Sequence, residues 1–133
     1  MRRFYQVIWE AHDKSAIPPL LHPEFTFRGS LGQRKQGHRG FVEYVDMVHQ
    51  ALGDYRCSIQ EMVEEDNKVF AKVMFGGIHK GTLLGYEASG KRVEWIGCAL
   101  FAFDGDLISD LWVLGDLRSL AQQLERNKLG AAR

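Results

Sequence analysis

Apolar positions in the first fifteen residues recur at helical spacing. Phe4, Val7, Ile8 and Ala11 fall at i, i+3, i+4 and i+7, and Tyr5, Trp9 and His12 form a second stripe beside them. This spacing predicts a helix over residues 2–15 that buries a wide face. Pro18-Pro19 break it, and residues 17–21 can form one short helical turn with proline in its first turn. His22-Pro23-Glu24 reads as a turn, residues 25–28 as a short strand, and GSLGQRKQG (residues 29–37) as a polar, flexible loop. Phe41, Tyr44, Val45, Val48 and Leu52 restore the helical period over residues 39–52, and Gly53 supplies the stop.

After Gly53 the period changes to two. Four strands are predicted, at residues 55–65, 68–79, 92–103 and 107–114, with Asp66-Asn67 and Asp104-Gly105 as turn signals. A last helix follows at 117–128, with Leu117, Leu120, Ala121 and Leu124 on one side. Early helices followed by hairpin-linked strands imply one α+β domain over residues 1–133. Its expected form is a curved, cone-like antiparallel sheet with the N-terminal helices on its concave face and a pocket between the layers. In the third long strand Val93, Trp95, Ala99, Phe101 and Phe103 share one face, while Ile96, Cys98, Leu100 and Ala102 share the other. Both faces are apolar, so both are expected to be covered. Helices suffice for one face. A second copy of the chain is expected on the other, as a two-fold homodimer through the outer sheet face.

The charge balance narrows the classes of partner. Lys plus Arg and Asp plus Glu number 17 each, so the chain lacks the basic excess that a nucleic-acid binder needs. A membrane-surface role is less strongly disfavoured. Cys57 and Cys98 form no CxxC pair and are expected as two reduced, buried thiols. No signal peptide, membrane span, repeat or linker is visible, and a cytoplasmic location is expected. The histidines at 12, 22, 38, 49 and 79 show no HxH, HxxxH or HExxH spacing, so no metal site is expected. Without GxGxxG, P-loop or GxSxG, no cofactor or serine nucleophile is expected either.

The stretch LWVLGD at 111–116 carries the sharpest candidate. Strand alternation puts Trp112, Leu114 and Asp116 on one side, and a large Trp and a Leu suggest the core side. Inward, Asp116 would be desolvated and usable as a general acid or base near neutral pH. Asp is equally a preferred N-cap, and a helix pattern starts at Leu117. His79 shares a face with Val69, Ala71, Val73 and Phe75, which places it at the pocket rim as a polar partner or a satisfied structural group. Arg28 could meet a substrate oxygen or pair with a surface acid. Trp9, Phe27, Tyr44 and Met47 are candidate pocket walls or plain core.

The segment HKGTLLGYEASGKRVEWIGCALFAFDGDLISDLWVLGDLRSLAQQL resembles the SnoaL-like polyketide cyclases, or ester cyclases, of the nuclear transport factor 2-like superfamily. The matching positions are His79-Lys80-Gly81, Gly85, Ser89-Gly90-Lys91, Phe101 to Phe103, Asp104-Gly105, Ile108, Trp112 to Asp116 and Gln123-Leu124. The N-terminal half fits more loosely, through its helices, His22-Pro23-Glu24 and Gly53-Asp54. The resemblance implies a cofactor-free acid/base reaction of the aldol type on a small apolar or polyketide-like carbonyl compound. Asp116 would be the acid/base residue, His79 and Arg28 its polar partners, and Trp112, Phe27, Tyr44 and Trp9 would contact substrate. The family often carries His or Asn where Arg28 stands, and a fixed charge there favours an anionic ligand or enolate. A non-enzymatic binding module with the same pocket is the alternative, followed by an isomerase or hydrolase of the same superfamily.

Overall fold

The computed structural model describes residues 1–131. Four helices, α1 (Phe4–Glu10), α2 (Ile17–Leu20), α3 (Gly37–Ala51) and α4 (Leu117–Ala131), accompany six strands. The strands are β1 (Leu21–Arg28), β2 (Arg34–Gln36), β3 (Leu52–Glu65), β4 (Lys68–His79), β5 (Arg92–Asp104) and β6 (Leu107–Gly115). They form one sheet in the order β2-β1-β6-β5-β4-β3.

β4, β5 and β6 alternate in burial along most of their length. β3 begins at Leu52, ahead of the expected stop at Gly53 because α3 already ends at Ala51, and is exposed throughout from Gln60 to Glu65. The β3–β4 turn closes at Asp66-Asn67, with Asp66 at φ 53°, and the β5–β6 turn uses Gly105 at φ 62°, the left-handed conformation tight hairpins require. Register shifts at Gly53/Arg56 and Ile59/Glu61 in β3, and at Ala102/Phe103 in β5, let these strands bend around the core.

The sheet is mixed, not antiparallel throughout. β1 runs parallel to β6, pairing Phe27 with Leu111 and Arg28 with Trp112. Strands so distant in sequence are joined by no hairpin, so nothing local fixes their relative direction. His22-Pro23-Glu24 lies inside β1. A register shift between Leu21 and Thr26 spans this stretch, as a proline without an N–H requires. β2 lies within the expected loop and pairs Arg34 and Lys35 with Arg28 and Phe27, a ladder too short to leave a periodic signal.

α1 departs from ordinary helical winding. It is π-wound, with the Ala11 N–H on the Gln6 carbonyl, and a short 3₁₀ turn, Lys14–Ala16, separates it from α2. The wider turn brings Phe4, Tyr5, Ile8 and Trp9 to one buried face, merging the two stripes. α3 buries Phe41, Tyr44, Val45 and Val48. Phe41 is the hub between layers, with ring centroids 5.6 Å from Phe4, 5.8 Å from Trp9, 5.4 Å from Phe25 and 5.0 Å from Phe27. Cys57 and Cys98 are free thiols, each partly buried. No helix among the described residues is long and apolar enough to cross a membrane.

Candidate functional site

Between the helices and the concave sheet lies an interior cavity of about 20 Å³, room for roughly one water molecule. Its walls are aromatic: Phe4, Tyr5 and Trp9 from α1, Tyr44 from α3, Phe27 from β1, Tyr55 and Phe75 from β3 and β4. Ser30, Leu111 and Val113 complete it. Two glycines make the rings' positions possible. A Cβ at Gly29 would stand 2.3 Å from the Tyr44 ring, and one at Gly97 would stand 2.4 Å from Phe75. The Leu31 N–H donates to Tyr44 Oη at 3.2 Å, tying the loop after β1 to α3. Burial is the main cause that raises the Tyr44 hydroxyl above the ordinary phenol range, and it raises Tyr5 and Tyr55 further. Tyr55 lies beside the Cys57 thiol, which burial also pushes up. No ionisable acid or base of ordinary strength lines this space.

The structure brings Trp9, Phe27 and Tyr44 together in this wall and leaves the other sequence candidates outside it. Parity held on β6, with Trp112, Leu114 and Asp116 on one side, but that side is the outer one. Trp112 is 39% exposed and Leu114 52%, whereas Leu111 and Val113 are buried. The inward placement of Asp116 is therefore corrected. Its carboxylate is exposed at the start of α4, where Oδ1 accepts the Ser119 N–H at 3.1 Å as an N-cap. It lines a shallow outer groove with Met74, Ile96 and Arg126. The reason for the reversal is that both faces of β5 and β6 are apolar, so hydrophobicity could not choose between them.

Arg28 and Trp112 are neighbours on the same outer face. The guanidinium lies 5.6 Å from the indole centroid and donates to the Val113 carbonyl. His79 is buried, as its strand face required, but it does not line the cavity. Taken as the Nε2–H tautomer, it donates to the Tyr86 carbonyl at 3.1 Å, and Nδ1 accepts the Ser89 N–H at 3.3 Å. Its backbone exchanges hydrogen bonds with Lys91 and Gly90. Both ring nitrogens are occupied in clamping the loop between β4 and β5, so the rim placement is also corrected.

Sequence reasoning missed Phe4, Tyr5, Ser30, Tyr55, Phe75, Leu111 and Val113 as wall residues. Tyr5 and Phe75 were visible as members of buried faces, but nothing in their spacing marked them as lining a space rather than filling one. Ser30 carried no signal at all.

A curved mixed sheet closed by helices in this order is the nuclear transport factor 2/ketosteroid isomerase-like fold. Residues 1–124 match the model of the SnoaL-like polyketide cyclases, and the chain belongs to that family. Among solved structures, TsrD from Streptomyces laurentii superposes with a TM-score of 0.78 at 25% identity, covering 89% of this chain and 87% of that one. A SnoaL-like polyketide cyclase from Agrobacterium tumefaciens gives 0.77 at 17% identity, covering 90% and 91%. A protein from Catenulispora acidiphila with a ketosteroid isomerase-like fold, solved with trimethylamine, gives 0.72 at 15% identity, covering 85% and 82%. No curated protein matches the chain.

Proposed function

We propose that this chain holds a small, flat, largely apolar carbonyl compound in its aromatic interior, whose wall rings move apart from the present water-sized space to admit it, as a binding member of a cyclase-type family. The observation that carries the reading is the wall itself, with seven aromatic rings facing one space and no ionised side chain among them. Such a wall suits a neutral apolar molecule and rejects a free ion. Mass spectrometry of small molecules released from the purified protein tests it. A flat carbonyl compound supports the reading, and a bound nucleotide or sugar phosphate removes it.

Cyclase-type turnover is the second reading, favoured by the family match. Asp116 directly follows Gly115, where a Cβ would stand 3.0 Å from the carbonyl oxygen of Ser30 in the wall. In this reading Asp116 takes a proton from the carbon between two carbonyls, the enolate carbon bonds to a further, more distant carbonyl of the same molecule, and the acid returns the proton to the new alkoxide. The carboxylate must then reach inward past Gly115. Full turnover by a folded Asp116→Asn variant would remove this reading.

The outer sheet face supports a homodimer. Val63, Phe70, Leu100, Trp112 and Arg28 form one cross-strand row, flanked by Glu61 and Glu65 at the β3 end and by Arg34 at the β2 end. A two-fold axis along the strands lays the acidic end of one copy on the basic end of the other, with the apolar centre between them. A monomer mass by light scattering at micromolar concentration would exclude it.

A further inference from the structure

Three flat rings form a near-parallel column that ends at the cavity wall. His12 and His49 stack face to face, with centroids 3.9 Å apart and planes 3° apart. His49 lies in turn against Trp9, with centroids 6.3 Å and planes 18° apart. Trp9 is buried and lines the cavity. Each histidine also makes a hydrogen bond that ties the end of α1 to α3. His49 Nε2 donates to the Trp9 carbonyl at 2.7 Å, in the last turn of α1, where a helix leaves carbonyls without internal partners. His12 Nε2 donates to Asp46 Oδ1 at 2.9 Å. The chain turns after α1 through His12 at φ 55°, a conformation few residues other than glycine adopt. These side-chain contacts, with the Asp13 N–H on the Val7 carbonyl, hold that joint in place.

Charge at the joint is unbalanced. The charged groups acting on the two imidazoles are the Asp46 carboxylate on α3 and two ammonium groups, Lys14 from the 3₁₀ turn and Lys80 just after β4. Lys14 already takes the second Asp46 oxygen at 3.3 Å. β3 contributes the Tyr55 ring, 5.6 Å from His49, and the Cys57 N–H, which donates to Glu10 of α1 at 2.9 Å. One proton on the pair is offset by Asp46. A second puts two like charges face to face at stacking distance, with Lys80 adding to the repulsion on His49. Burial, then the charge of His12, accordingly holds His49 below its ordinary value of 6.5. A proton therefore binds an open joint more readily than a closed one, and acid favours the open one.

Resting on the moving wall rings proposed above, we infer that the His12–His49 pair is a proton-operated latch on the interior. With at most one proton on the pair, the rings stay stacked, His49 holds the Trp9 carbonyl, and the wall stays closed at Trp9. With both rings protonated, repulsion parts them, the support behind the Trp9 indole is withdrawn, and the wall opens on that side. α1 stays attached to β3 through Glu10 and Cys57, so the opening is local and the fold is kept. Phe4 and Tyr5, nearer the start of α1, keep their places against Phe41 and Phe101. Entry and release of a neutral ligand then become faster in mild acid.

Amide exchange of Ala11 and Asp13, read by NMR and corrected for the intrinsic pH dependence of exchange, tests the latch without any ligand. Both N–H groups are bonded within this joint, to the Gln6 and Val7 carbonyls. Between about pH 7.5 and about pH 5 their protection should fall roughly tenfold, while that of Ala71 and Val73 in β4 stays constant. His49→Gln keeps a neutral donor for the Trp9 carbonyl, and His12→Gln keeps one for Asp46. Each should remove the pH response. If one variant fails to fold, the other carries the same test. If neither folds, the pair has a structural role and the latch is overturned. Wild-type protection that ignores pH, or a response that persists in a folded Gln variant, also overturns it. Acetophenone, neutral throughout this range, then reads the interior by ligand-observed NMR. Its exchange with the wild type should be several-fold faster at the lower pH and independent of pH in the Gln variants. Binding with an exchange rate that ignores pH in the wild type overturns the latch's control of entry. Absence of binding at both pH values, with the amide response intact, removes the interior-binding reading alone, and the amide response still supports the latch.

Discussion

The two faces of β5 and β6 are built from similar residues and have different fates. The inner face carries Trp95, Ala99, Phe101, Leu111 and Val113, all buried against helices and concave sheet. The outer face carries Ile96, Leu100, Trp112 and Leu114, partly or largely exposed in the single chain. By composition alone the two are nearly interchangeable. What separates them is coverage, because α1 and α3 lie on one side, whereas on the other Leu100, Trp112 and Leu114 stay exposed among the described residues. An apolar pattern reports that a face wants covering and is silent about what covers it.

The largest effect that tests this comparison comes from adjacent residues on one strand. Phe101→Ala should cost roughly 3–5 kcal/mol of unfolding free energy, since Phe101 is fully buried and packs edge-on to Phe4 and Tyr5. Leu100→Ala, one residue away and facing out, should cost less than about 1 kcal/mol in the single chain. Urea titration with both variants at several protein concentrations checks the pair. If the outer face pairs two copies, the Leu100 effect grows with concentration while the Phe101 effect does not.

A smaller loss is expected at the loop clamp. His79→Ala leaves the Tyr86 carbonyl and the Ser89 N–H without their ring partner and should destabilise by roughly 1–3 kcal/mol. Hydrogen exchange should rise in residues 80–91 and stay unchanged around Phe41. Uniform exchange across the chain would show that His79 is no local clamp.

Asp116 separates cap from acid at lower cost. Asp116→Ala removes the acceptor for the Ser119 N–H and should lose roughly 1 kcal/mol, whereas Asp116→Asn keeps an equally good cap and should lose almost nothing. Thermal melts of the two variants beside the wild type measure this. Equal losses in Ala and Asn would mean that the charge, not the cap, is what the helix uses.

The smallest effect is a pH dependence outside the wall. His12 and His49 stack at 3.9 Å, His12 meets Asp46 Oδ1 at 2.9 Å, and His49 donates to the Trp9 carbonyl at 2.7 Å. Lys14 reaches the other Asp46 oxygen. Burial, then the charge of the stacked His12, lowers His49 below its ordinary value of 6.5. A histidine lowered in the folded state contributes stability that is present above the unfolded value near 6.5 and lost as pH falls through the folded one. Hydrogen bonding to His12 lowers Asp46 below 3.8, which acts in the same direction at lower pH. Melting temperature should therefore fall modestly below neutrality, and His49→Gln should flatten the part nearest pH 6.5. An unchanged slope in that variant would assign the dependence elsewhere.

Local periodicity carried most of the architecture. The helical spacing around Phe41 and the alternation of β3 to β6 specify their elements because each depends on neighbours within one turn or one pleat. The hairpins at Asp66-Asn67 and Asp104-Gly105 were likewise written in residues that accept their dihedrals. Tertiary structure decided the rest. The parallel pairing of β1 with β6, the π winding that gathers Phe4, Tyr5, Ile8 and Trp9, and the three-residue β2 all depend on contacts distant in sequence. The same holds for the candidate site. Alternation grouped Trp112, Leu114 and Asp116 correctly, but the side on which they lie was set by where the helices pack. Strand parity has two solutions when both faces are apolar, and only the folded chain selects one.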